Sequence, residues 1–240
     1  YVLIRVLFTV FSPNYVFTIL QWQSMMVGAS VVAIIAGSIF ALKQTNIKKM
    51  LTYLIVAEIG YMVGGIWLGN KAGLTGATYH IIADGLMTLC LFMAVGCIIY
   101  KCGNAELKSI KGIFKKMPLT MVGFLVGAFS MIGVPPTCGF FSKWYLITGA
   151  YQSGYWSFLI ALLISSLVNA ILFFRIIEVG YFRALPEETP AHGDHNESKG
   201  EAPVSMIAPL LVVAALVIGL GLYTKEIVLS FIVHTVGGLG

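Results

Sequence analysis

The chain has 240 residues, of which 58% are hydrophobic and 10% charged, and its mean hydropathy is +0.91. These values exclude a soluble globular core and predict an all-α integral membrane protein. The net charge of +5 is no nucleic-acid signal, because the lysines cluster in short polar segments between apolar runs.

Tyr1 opens inside an apolar run, 1–11, with no signal peptide to read. The chain is therefore expected to be the C-terminal part of something larger, either a fragment or one half of a split subunit. The run reads as a partial helix ended by Ser12, Pro13 and Asn14. A full span over 24–42 is rich in small residues (Gly28, Ala33, Gly37 among them), which suits close helix packing in lipid. A turn carrying Lys43, Lys48 and Lys49 leads to a span over 50–68 with Glu58 at its middle. The next run, 74–100, exceeds the roughly 20 residues a bilayer needs, so a tilt or a kink at Gly85 is expected. His80, Asp84 and Thr88 follow one another on it at i+4 spacing and share a helix face.

A polar connection over 101–118 holds Lys101, Lys108, Lys111, Lys115 and Lys116 against Glu106. The apolar run after it, 119–151, is too long for one straight crossing and too short for two. Gly133, Pro135 and Pro136 interrupt it, and proline removes an amide donor and clashes with the preceding turn, so the helix is expected to break over 133–139. Non-helical backbone inside a bilayer is tolerated only within protein or beside a water-filled cavity. Lys143 follows the break. A proline kink with a snorkelling lysine is the plainer reading, but Phe140, Phe141, Trp144 and Tyr145 surround Lys143, far from the lysine-rich loops. A buried ionisable group on a broken helix points to an ion path. A long helix over 156–182, with Arg175 and Glu178 near its end, leads to a solvated linker over 183–203. The last span is 204–223, and 226–240 is a short apolar tail expected along the interface. All of 1–240 reads as one transmembrane domain.

Carboxylate, imidazole, hydroxyl and ammonium groups on three spans (Glu58, His80, Asp84, Thr88 and Lys143) are the parts of a proton relay. No catalytic triad, phosphate loop, haem motif or metal-ligand set accompanies them, so no catalytic residue, cofactor or bound metal is expected. Cys90, Cys97, Cys102 and Cys138 form no CxxC pair and read as free thiols. His192 and His195 form an isolated pair in the linker, an arrangement that rarely holds a metal. Counting alternate loops with the broken element as one crossing puts ten Lys and Arg residues on one side, against Lys71 and Lys225 on the other. The positive-inside rule makes the first side cytoplasmic and the C-terminus non-cytoplasmic, in a bacterial or archaeal cytoplasmic membrane.

Gln44-x-Asn46-Ile-Lys48-Lys49-x-Leu51-x-Tyr53, Ile59-Gly60-Tyr61, Tyr79-His80, Leu91-Phe92 with Gly96, and Gly133-Val-Pro-Pro136 with Gly139-Phe-Phe-Ser-Lys143 carry a resemblance over nearly the whole chain. They resemble the antiporter-like subunits of respiratory complex I, Mrp-type sodium/proton antiporters and membrane-bound hydrogenases. The resemblance implies the C-terminal half of a fourteen-helix fold built from two inverted repeats. It also implies that Lys143 matches a lysine of the outward half-channel and His80 a histidine of the central water-lined path. Many members continue the helix as His-x3-His-x3-Lys, whereas here Asp84 and Thr88 follow His80 and the central lysine is missing. The expected function is proton translocation within a larger respiratory or hydrogenase-type complex, whose other membrane subunits, including the N-terminal half, are the expected partners. Rivals are an Mrp-type sodium/proton antiporter subunit and a non-conducting scaffold. Asp84, Thr88, Glu58 and carbonyls near a Gly85 kink would give sodium an oxygen shell.

Overall fold

The computed structural model describes residues 2–11, 15–19, 21–182 and 200–232. Ser12, Pro13 and Asn14, most of the polar linker with His192 and His195, and the tail beyond 232 lie outside the described residues. Described residues form helices and turns, apart from one isolated bridge between Asn46 and Glu106. Helix α1 (Val2–Arg5) runs into a π-helical turn (Val6–Val10), and a second such turn covers Tyr15–Ile19. Helices α2 (Gln23–Leu42), α3 (Ile47–Trp67) and α4 (Lys71–Cys102) follow. A short α5 (Ile113–Lys116) precedes α6 (Pro118–Ile132) and α7 (Cys138–Gln152). Then come α8 (Trp156–Tyr181), α9 (Val204–Leu222), α10 (Thr224–Ile227) and a final π-helical turn (Val228–Ile232).

Five helices, α2, α3, α4, α8 and α9, are long and apolar enough to cross a bilayer. At 1.5 Å per residue, α6 and α7 are each about 22 Å long, too short to cross alone, and together they make one crossing. Hydrogen bonds between helix ends and loops fix this count. At one end Ile47 N–H donates to Ala105 O and Leu107 N–H to Thr45 O, both at 2.9 Å. At the other end Gln23 Nε2 donates to Leu68 O (3.0 Å) and Asn70 Nδ2 to Gly149 O (2.6 Å). Helix α6 leaves the first end and α7 arrives at the second.

Local chemistry explains the helix ends. Asn46 and Asn70 cap α3 and α4, their Oδ1 atoms accepting from Lys49 N–H and Gly73 N–H, each contribution on the order of 1 kcal/mol. Helix α4 ends at Gly103, whose φ of +75° suits glycine. Its α-helix runs without interruption through Gly85. Pro118 starts α6, where a missing amide costs nothing. The carboxylate of Glu201 accepts from Leu119 N–H and, at 2.8 Å, from Thr120 Oγ1. Glu201, read from sequence as part of a solvated linker, instead neutralises the positive end of α6.

The break itself is shorter than expected, 133–137. Gly133 has φ +96°, and both its N–H and that of Val134 return to Phe129 O, at 3.0 and 2.9 Å. Gly139 then lets α7 approach α6: a Cβ there would overlap the Ser130 carbonyl. Its N–H donates to Ser130 Oγ at 3.1 Å, locking the two half-helices together.

Candidate functional site

Helices α3, α4, α7 and α8 bring polar side chains into an otherwise apolar core. Glu58 and His80 are fully buried and Lys143 is 5% exposed. A lone buried charge costs several kcal/mol, so each must find partners.

Glu58 Oε2 lies 2.8 Å from His80 Nε2. On its other edge His80 Nδ1 is 2.9 Å from Ser142 Oγ, and Ser142 donates to Gly139 O at 2.9 Å. With its hydroxyl proton committed to that carbonyl, Ser142 accepts from Nδ1–H. Nε2 is left as the exchangeable position, facing the carboxylate.

Lys143 is held by the break. Helix termini leave carbonyls without intrahelical donors, and the C-terminal end carries partial negative charge. Lys143 Nζ donates to Met131 O at 2.6 Å and Ile132 O at 3.4 Å, both in the last turn of α6, and to Ser166 Oγ at 3.3 Å. It also stands 5.3 Å above the Tyr61 ring, and no carboxylate among the described residues pairs with it. Asn169, fully buried on α8, joins the two centres. Its amide donates to Met131 O at 3.1 Å and to Glu58 Oε1 at 3.4 Å.

Asp84 stands one turn beyond His80 on the face the spacing gives. Thr88 Oγ1 donates to Asp84 Oδ1 at 2.9 Å, so this pair closes on its own helix, one turn beyond His80. Gly133 packs on the relay, a Cβ there falling 3.3 Å from Lys143 Cδ, while Pro135 and Pro136 are exposed at the break. Reasoning from spacing missed Ser142, Asn169, Ser166 and Tyr61. A polar residue inside an apolar run was the only signal available for Asn169 and Ser166. Asn169 Oδ1 is buried without a partner, which leaves one further acceptor beside Glu58.

The profile of the family described as "NADH:quinone oxidoreductase/Mrp antiporter, TM" matches residues 1–169. Among curated relatives, subunit N of NADH-quinone oxidoreductase from Desulforudis audaxviator is 41% identical over 204 residues, 83% of this chain and 41% of that protein. The subunit N from Methylovorus glucosotrophus is 30% identical over 209 residues, again 41% of its length. The chain thus spans about two fifths of the relatives it matches. Among solved structures, a chain of the Mrp complex from Dietzia sp. superposes with TM-score 0.84 at 21% identity, covering 100% of this chain and 49% of that one. A chain of an archaeal membrane-bound sulfane sulfur reductase gives 0.76 at 25% identity, covering 91% and 42%. With its helical membrane architecture and a matched region running through the broken helix to α8, the chain belongs to the family of transmembrane subunits shared by NADH:quinone oxidoreductases and Mrp antiporters.

Proposed function

We propose that the chain carries protons across a membrane as one part of a multi-subunit complex. One observation carries the reading: a buried carboxylate–imidazole pair and a lysine held by the α6 carbonyls are positioned against each other by Asn169. Its amide donates to Glu58 Oε1 and to the Met131 carbonyl that Lys143 also uses, orienting the two centres without itself carrying a proton. In this reading a proton moves between Glu58 Oε2 and His80 Nε2 while Ser142 keeps Nδ1–H in place. Lys143 takes the proton onward and releases it on the far side of the break. Such hand-offs suit groups that each gain and lose one proton.

Sodium is the second cargo to consider. The uninterrupted helix through Gly85 keeps its carbonyls in helical bonds, Thr88 donates to Asp84, and Glu58 is engaged by His80 and Asn169, so several of the oxygens expected around Asp84 already have protein partners. This favours the proton. Partners are supported by the break: Val134, Pro135 and Pro136 are exposed, and lipid does not accept non-helical backbone at that depth. A further membrane-embedded protein segment, such as a neighbouring subunit, would cover it. The lysine-rich end, carrying loops 43–46 and 103–117, is assigned to the cytoplasm by its charge, which leaves α9 ending on the opposite side.

The test is Glu58→Gln, which keeps shape and hydrogen bonding but removes the proton site. In sealed vesicles holding the assembled complex, dye-read proton transport should fall to the level of vesicles without it, with assembly intact. Undiminished transport would refute the role of Glu58 and favour a scaffold. Sodium uptake that persists with an uncoupler present would make sodium the cargo.

A further inference from the structure

A second feature lies at the lysine-rich end, away from the buried relay and independent of the proton reading. It is a cavity of about 570 Å³ between the segment 106–111 and the end of α8, lined by Glu106, Lys108, Ser109, Lys111, Arg175 and Val179 among others. That volume falls within the roughly 300–1,000 Å³ of ligand sites. The segment is a fixed turn rather than a loose loop. Leu107, Ile110 and Ile113 are buried at three-residue intervals, and the backbone pairing of 105–107 with 45–47 pins it to α3. Burying that apolar face leaves Lys108 and Lys111, each one residue on from an anchor, facing the cavity.

Its charge is unbalanced. Lys108, Lys111 and Arg175 face one carboxylate, Glu106, which already accepts from Asn46 Nδ2 at 3.1 Å. Among the described residues no carboxylate pairs with the three cations. Glu178, one turn beyond Arg175, does not line the cavity. Arg175 also ends an apolar track, for Leu167, Ile171 and Arg175 follow one another at i+4, and Ile160, Leu163 and Phe174 are exposed along the same helix. A site with cations at the membrane edge and an apolar track below them matches an amphiphile with an anionic head. A soluble anion would leave the track unused, and an acidic protein segment would have no need of it.

We propose that this cavity binds the phosphate group of an anionic phospholipid, with an acyl chain laid along the exposed face of α8. Basic groups near a bilayer surface each attract anionic lipid by about 1 kcal/mol, roughly five-fold in affinity. The test is a titration of the delipidated protein in detergent with phosphatidylglycerol, phosphatidylcholine or inorganic phosphate, read by native mass spectrometry and thermal midpoint. Phosphatidylglycerol should bind at one site and raise the midpoint. The triple variant Lys108→Gln, Lys111→Gln, Arg175→Gln should bind on the order of a hundred-fold more weakly. The charge-matched triple Lys48→Gln, Lys115→Gln, Lys116→Gln, all on exposed lysines outside the cavity, should bind as the parent does. If the first triple fails to fold, Arg175→Gln alone should weaken binding about five-fold. Equal loss in both triples, or equal binding of phosphatidylcholine, would overturn the site, and displacement of the lipid by inorganic phosphate would make it a soluble-anion site instead.

Discussion

Asn169→Leu separates the two halves of the relay while keeping the branched shape and heavy-atom count of the side chain and adding no charge. Glu58 Oε1 accepts from Asn169 at 3.4 Å, and Met131 O accepts from both Asn169 and Lys143. Losing the second bond leaves that carbonyl satisfied by Lys143, so the cost falls on Glu58. A hydrogen bond to a charged group contributes about 1.5–3 kcal/mol, and one this long belongs near the lower end. About 1.5 kcal/mol corresponds to roughly ten-fold in any step that depends on the link. The variant also removes Asn169 Oδ1, which is buried without a partner, and this offsets part of the stability loss. Assembly should therefore survive while proton transport in sealed vesicles falls about ten-fold. Transport at the parent rate in an assembled Asn169→Leu complex would show that Asn169 does not connect Glu58 to Lys143.

Two further outcomes follow from the fold. Gly139→Ala should lower the thermal midpoint and impair assembly, because its Cβ would overlap the Ser130 carbonyl and push the half-helices apart; overpacking of this kind costs about 1–3 kcal/mol or more. An unchanged midpoint would mean that α6 and α7 are less tightly docked than described. Cys102 is half-buried at the lysine-rich end while Cys90, Cys97 and Cys138 are buried. A membrane-impermeant thiol reagent should thus label Cys102 in inside-out vesicles only, and labelling of intact cells from outside would reverse the assigned orientation.

What the sequence made legible was whatever a single helix encodes. Gly133, Pro135 and Pro136 announce the break because they change backbone chemistry locally, and Lys143 stands out because lipid would reject it. The spacing of His80, Asp84 and Thr88 gives their common face. Which groups meet across helices was not legible. His80 takes its partners from α3 and α7, whereas Asp84 turns to Thr88 on its own helix. Asn169 and Ser166 lie in an apolar span with no spacing that ties them to Glu58 or Lys143; only packing of α8 against the break does that. Glu201 shows the same limit, since its place at the start of α6 depends on a contact 82 residues away in sequence.

The central claim is that Lys143 acts by giving up and regaining a proton, and Lys143→Arg tests it most directly. Guanidinium keeps a cation near the α6 carbonyls but effectively never deprotonates. The measurement is proton transport by the assembled variant complex in sealed vesicles, set against Lys143→Ala and the parent. Transport at background level in both variants, with assembly preserved, is the expected result. Parent-level transport by the arginine variant would show that a fixed charge suffices and that Lys143 is not a proton carrier.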